Sequence, residues 1–294
     1  MNMFQKASLF CLLFSTFFWG CDSTTVSPEV TPVDEYLHVR ADWSPDGKTI
    51  AFSSLVQNAT GMMLVDSSGA NLKTISSGDV LGATWSPDGL WIGFTQAGTL
   101  YTIKANGDSL RPLANVTNAI RPSWSPTGKK IAYVPRDAGT GVWLYDLATA
   151  SATMLIAYGS FPSWNRLNGE VVILDARYDI GTGVLVYYFV GVDPTTRLSR
   201  TIGAFATVSD CGFSRISPDG NTILYSLKRP DDYVQIWSYD ILRSQHKQLT
   251  TDGGDFAAWS PDGKKIVYTR TQAGDGTLWV MNPDGSGKRQ LTKR

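Results

Sequence analysis

The sequence predicts an all-β protein, a six-bladed β-propeller of four-stranded antiparallel blades. Three observations predict it. Trp-Ser-Pro-Asp-Gly stands at Trp43–Gly47, Trp85–Gly89 and Trp259–Gly263. Near copies start at Trp124 and Ile216, and a worn copy at Trp164, so anchors recur at 43, 85, 124, 164, 216 and 259. A turn signal repeating at about forty residues marks a repeat architecture. Last, each anchor is followed by short stretches with apolar residues at the strand period of two.

The first unit shows how a blade is specified. An apolar run ends at Trp43, and Ser-Pro-Asp-Gly reverses the chain. Pro fixes φ early in the turn, Asp suits the next position, and Gly accepts the left-handed conformation that closes it. Lys48 to Phe52 reads as a second strand, Met62 to Asp66 as a third, and Leu72 to Ile75 as a short fourth after the Ser67–Ala70 turn. The last unit repeats this through Lys265–Tyr268, Thr277–Met281 and Arg289–Thr292. Four strands per repeat is the content of a propeller blade. The anchor Trp and the aromatic residues Phe52, Phe94, Tyr133, Tyr225 and Tyr268 one strand later are expected to pack blade on blade, because aromatic side chains bury large areas. The fourth unit departs most. Its turn lacks Pro, its third strand Val184–Val190 is long, and its step of 52 is the largest. Longer hairpins account for this; an extra loop around Val192 to Arg200 is the alternative.

Trp-Ser-Pro-Asp-Gly-Lys-Lys-Ile-Val-Tyr, an apolar strand, an Asp-Gly turn and a terminal Leu-Thr resemble the WD-repeat-like propeller repeat of the TolB-like family. The resemblance covers about residues 37 to 292. It implies six blades and a partner drawn from the envelope, such as a peptidoglycan-associated lipoprotein. It concerns the propeller alone and not the α/β domain that precedes it in TolB.

Three segments are expected: a lipoprotein-type signal at 1–20, a lipidated Cys21 with a flexible tether over 21–36, and the propeller over 37–294. Lys6 precedes the apolar stretch Ala7–Trp19, too short to span a bilayer and suited to a secretory signal. Gly20 before Cys21 is similar to a bacterial lipoprotein signal, and the Ser/Thr/Pro-rich residues after it read as a tether. The expected location is the bacterial cell envelope, lipid-anchored to a membrane, with a soluble periplasmic or secreted protein as the alternative. Of the three cysteines only Cys211 lies in the propeller, which excludes an internal disulfide there. A monomer is expected. Ring closure is open at this point: each unit reads as complete, and Ser27–Val33 is a candidate outer strand for the last blade.

Chemistry is sparse. Lys plus Arg and Asp plus Glu number 26 each, without the basic excess that nucleic-acid binding needs. The two histidines, His38 and His246, offer no zinc spacing. Some TolB-like propellers resemble oligogalacturonate lyases, which hold a metal with several histidines, and those histidines are missing. Gly107-Asp108-Ser109-Leu110 matches an esterase motif, but it falls where other units have their outer turn. No catalytic residue, metal or cofactor is expected, and the protein is read as a non-enzyme.

Binding in a propeller is expected where loops enter the innermost strands. Three residues before each anchor stand Arg40, Gly82, Arg121, Phe161, Phe213 and Phe256. This register places one residue per blade on a common ring, and Arg with aromatics is an interface-favoured combination. The candidate site is Arg40, Arg121, Phe161, Phe213, Phe256 and His38, with Asp255 among the residues of the entering loops. The competing reading has the Phe side chains filling the channel and the Arg side chains solvated. Replacing Arg40 and Arg121 together by Ala is expected to abolish partner capture without lowering the melting temperature. The expected function is a non-catalytic envelope scaffold that binds a protein or peptide. A small-ligand or polysaccharide-binding propeller, hydrolase or lyase, is the alternative.

Overall fold

The computed structural model describes residues 38–55, 60–136, 141–207, 209–228, 233–272 and 276–293, except the side chain of His38. The proposed signal, Cys21 and the tether lie outside these residues, as does the Ser27–Val33 candidate strand. Contacts divide the chain into Met1–Asp34 and Glu35–Arg294. The second unit is an all-β propeller of six four-stranded antiparallel sheets.

Blade one holds β1 (His38–Trp43), β2 (Thr49–Ser54), β3 (Gly61–Asp66) and β4 (Lys73–Ser77). Blade two holds β5 (Val80–Trp85), β6 (Trp91–Gln96), β7 (Thr99–Lys104) and β8 (Arg111–Pro112). Blade three holds β9 (Ala119–Trp124), β10 (Lys130–Pro135), β11 (Val142–Asp146) and β12 (Ser151–Ile156). Blade four holds β13 (Ser160–Trp164), β14 (Val171–Asp179), β15 (Val184–Val192) and β16 (Ser199–Thr207). Blade five holds β17 (Asp210–Ile216), β18 (Thr222–Lys228), β19 (Val234–Asp240) and β20 (Gln245–Gln248). Blade six holds β21 (Asp255–Trp259), β22 (Ile266–Thr269), β23 (Leu278–Met281) and β24 (Arg289–Gln290).

Every sheet follows chain order, so each repeat is one blade. The first strands touch in sequence from β1 to β21, and β21 returns to β1, which closes the ring. A core cluster joins Trp43, Phe52 and Val65 of blade one to Val267, Leu278 and Val280 of blade six. The Arg289 guanidinium ties the same seam by donating to the carbonyls of Ser67 and Ser68, both at 3.0 Å.

The repeated motif is a hydrogen-bonded device. Ser44 Oγ donates to Asp46 Oδ1 at 2.6 Å and accepts Thr49 N–H at 2.9 Å. Asp46 Oδ1 also accepts Lys48 N–H. Gly47 holds φ at 71°, which a side chain would strain. Ser260 and Asp262 repeat these contacts. In the worn copy Asn165 Oδ1 accepts Leu167 N–H instead. The terminal Leu-Thr has its own role, since Thr250 Oγ1 and Thr292 Oγ1 accept the N–H groups of Ile236 and Leu278.

Between blades, the residue before one anchor accepts the N–H of the next. Asp42 Oδ2 takes Trp85 N–H at 2.9 Å, Thr84 Oγ1 takes Trp124 N–H at 2.9 Å, and Ser163 Oγ takes Ile216 N–H at 3.2 Å. Phe52, Phe94, Tyr133, Tyr225 and Tyr268 are all buried, as their packing role requires. Trp43 and Trp85 are buried too, whereas Trp124, Trp164 and Trp259 are half-buried.

The extra length of the fourth repeat lies in β14, β15 and β16, each of nine residues. Residues 193–198 make a compact turn, with Asp193 N–H donating to Leu198 O and Asp193 Oδ1 accepting from Thr195 and Thr196. Longer hairpins, and not a loop around Val192 to Arg200, are therefore the departure. β13 ends its pairing with β14 at Leu174, so residues 175–179 run past it. At about 3.4 Å per residue the flap extends roughly 17 Å, and it carries Tyr178 and Ile180, 61% and 90% exposed.

Candidate functional site

At the same place in every inner strand, the pairing with the second strand slips. The breaks fall at Val39/Asp42, Leu81/Thr84, Ile120/Ser123, Ser160/Ser163, Gly212/Ser214 and Asp255/Ala258. Each is a bulge whose left-handed residue is the predicted ring position. φ is 54° at Arg40, 74° at Gly82, 57° at Arg121, 54° at Phe161, 43° at Phe213 and 52° at Phe256. Five of these are large non-glycine residues in a conformation that costs them energy. A bulge re-aims a side chain and bends its strand. Here it turns one side chain per blade toward its neighbours.

The side chains meet as an arc. Arg121 Cζ lies 3.8 Å from the Phe161 ring centroid. Phe161 meets Phe213 edge-on at 6.3 Å, and Phe213 meets Phe256 at 5.7 Å. Arg40 Cζ lies 5.4 Å from the centroid of Phe256. These are edge-to-face and cation–π geometries. Arg121 Nη1 also donates to Ser160 Oγ. The arc opens at Gly82, where a Cβ would stand 3.2 Å from Pro122 Cδ and 3.9 Å from Arg40 Cδ. His38 starts β1 and pairs with Ser54; its side chain lies outside the described residues.

The two arginines differ in setting. Arg40 is half-buried: burial pulls its pKa down and the Asp255 charge opposes this, while the Arg136 charge adds to the lowering. Burial pushes the Asp255 carboxyl up, against the Ser226 hydroxyl, the Phe256 N–H and the Arg40 charge. Ser226 Oγ and Phe256 N–H both donate to Asp255 Oδ1, at 2.5 and 2.7 Å. Arg40 is thus a half-buried cation whose charge acts on the Asp255 carboxyl, and not a fully solvated side chain. Its replacement by Ala leaves Asp255 without that charge, so the Arg40/Arg121 double variant is expected to melt lower than wild type, contrary to the sequence expectation.

Sequence reasoning placed Asp255 among the entering loops but did not name Ser226, and it read Cys211 only as an unpaired cysteine. Cys211 sits beside this group, and burial, then the Asp255 charge, push its thiol well above the usual range. A thiol held protonated is a poor nucleophile. His246 is exposed on β20, but its ring is engaged: Nδ1 lies 2.9 Å from Tyr225 Oη and the ring packs on Tyr239 and Phe205. Burial lowers its pKa. The Gly107–Leu110 segment is the outer turn between β7 and β8, closed by Lys104 N–H to Asp108 O. Among the described residues no group of three or more His, Cys, Asp or Glu could hold a metal ion.

No protein-family model matches the chain. Over 78 residues it is 38% identical to the Tol-Pal system protein TolB of Anaeromyxobacter dehalogenans; the match spans 26% of this chain and 17% of that protein. Among solved structures, TolB of Acinetobacter baumannii superimposes with a TM-score of 0.59 at 18% identity, over 87% of this chain and 64% of that one. An oligogalacturonate lyase of Vibrio parahaemolyticus gives 0.55 at 14% identity, over 90% and 80%. At such identities the likeness is one of fold, and a fold shared with a lyase leaves function to the site.

Proposed function

We propose that this propeller is a non-catalytic binding module of the cell envelope. It takes a protein or peptide partner on the face carrying Arg40, Arg121, Phe161, Phe213 and Phe256. The observation behind this reading is the arc itself, five aromatic and guanidinium groups set on strained bulges around one channel. Residues held in strained backbone conformations cluster at functional sites. Arg and aromatic residues supply most hot-spot energy in protein interfaces. The blade-four flap stands on this side and adds Tyr178 and Ile180. The sequence likeness to a Tol-Pal system protein supports the envelope as the setting. A monomer held to a membrane through lipidated Cys21 completes the proposal.

The test is capture from envelope extract with the full chain as bait. Arg121→Ala is the informative variant, since Arg121 does not face Asp255. A specific protein retained by wild type should fall at least about tenfold with Arg121→Ala, with the melting temperature unchanged. Equal retention by both would rule out the arc as the binding face. The anchor is tested separately: Cys21→Ala should move the protein from the membrane fraction to the soluble one. A variant as membrane-bound as wild type would remove Cys21 as the anchor.

A further inference from the structure

The opposite end of the channel carries a second feature. A cavity of about 240 Å³ lies where the inner strands run into the Ser-Pro-Asp-Gly turns. This is far more than the roughly 10–15 Å³ a single water requires. Its wall is built of anchor indoles, among them Trp124, Trp164 and Trp259, and of turn prolines. The charged residues that line it are Asp42, Arg166 and Arg215.

Those three do not balance. Asp42 is already engaged by Trp85 N–H at 2.9 Å. Arg215 reaches Ser123 Oγ at 3.5 Å, and its Cζ stands 5.6 Å from the Phe213 ring centroid. Arg166 occupies the place of Pro45, Pro87, Pro126, Pro218 and Pro261 in the other turns, so the worn fourth motif puts a cation on an otherwise apolar rim. No ion pair or hydrogen bond engages its side chain among the described residues. Burial raises the Asp42 pKa, and the charges of Arg215 and Arg166 oppose that rise; burial lowers the Arg215 pKa, with the Asp42 charge opposing and the Arg166 charge adding to it. Two guanidinium groups against one carboxyl leave an excess of positive charge at the cavity, and a cleft lined by one sign of charge concentrates ions of the other.

We propose that this cavity is a binding site for a small monocarboxylate with a flat apolar body. The carboxylate meets the guanidinium groups of Arg166 and Arg215, which suit it as paired donors. The body lies against indole and proline rings. Asp42 lies in the same wall, and a carboxylate there disfavours a dianion such as phosphate over a monoanion. The site lies at the other end of the channel from the partner face, and Arg215 packs on Phe213 of that face.

The test uses the full chain at low ionic strength, with sodium benzoate as probe. Indole fluorescence reports the cavity and titration calorimetry confirms stoichiometry. Benzoate should bind saturably and one to one. Benzamide, its neutral counterpart, should bind at least about tenfold more weakly, and Arg166→Gln should weaken benzoate by about tenfold. Arg166 is exposed, so this variant should keep the wild-type melting curve. Absence of saturable benzoate binding, equal affinity for benzamide, or unchanged affinity in Arg166→Gln would each overturn the proposal. Tighter binding of inorganic phosphate than of benzoate would overturn the carboxylate assignment.

Discussion

Phe189→Ala should lower the stability of the propeller by about 3–5 kcal/mol, the range for removing a buried aromatic side chain. The corresponding fall in Tm is roughly 10 °C. Phe189 is fully buried on β15. Its ring stands 5.7 Å from Phe205, 5.5 Å from Tyr225 and 5.4 Å from Tyr239. Tyr225 and Tyr239 belong to blade five, so the deletion opens the seam between blades as well as the core of one sheet. The site cannot collapse easily. Gly203 opposite already lies so near the Tyr239 ring that a Cβ there would come within 2.5 Å of it. The cavity term therefore adds to the lost transfer energy. Differential scanning calorimetry checks this, and a shift of only a degree or two would mean that the cluster does not hold the two blades together.

The sequence makes the blades legible because every device in them is local. Ser44, Asp46, Gly47 and Thr49 lie within six residues, and their hydrogen bonds are implied by the motif. The ring register was legible for the same reason. A fixed distance from the anchor Trp locates Arg40 through Phe256, although nothing in the residues announces a bulge or a positive φ. What stayed hidden depends on ring closure. Arg40 and Asp255 belong to the first and last blades, and a linear repeat gives no sign that they face each other. Asp42 and Arg215 sit at the same register in different units, and their charges stand out only once the units circle an axis. One signal was available and unused: Arg166 replaces the Pro of the turn. The longer β14–β16 strands were visible as apolar length, but length alone does not separate an extended hairpin from a loop.

Arg40→Ala carries the other large expected effect, and its pH dependence identifies the cause. Breaking a direct buried ion pair costs about 3–5 kcal/mol; Arg40 and Asp255 interact without such a contact, so the cost is smaller, but the remaining charge is still left less compensated. Here that charge is Asp255. Burial already raises its pKa in the folded protein, and Arg40 is the charge that opposes the rise. A carboxyl raised on folding keeps its proton where the unfolded chain has lost it, so the folded state binds more protons and stability falls as pH rises. The penalty begins near the unfolded value of about 3.9 and is complete above the folded value. Without Arg40 the folded pKa climbs further, and the penalty at pH 7 grows. Arg40→Ala should therefore lose most stability at pH 7 and recover part of it at pH 5, closer to the range in which the raised Asp255 carboxyl takes up a proton. Asp255→Asn in the same background removes the charge and should restore much of the loss at pH 7. Urea denaturation at the two pH values measures both effects. Equal losses at pH 7 and pH 5, with no rescue by Asp255→Asn, would show that Arg40 acts through its packing on Phe256 and not through its charge.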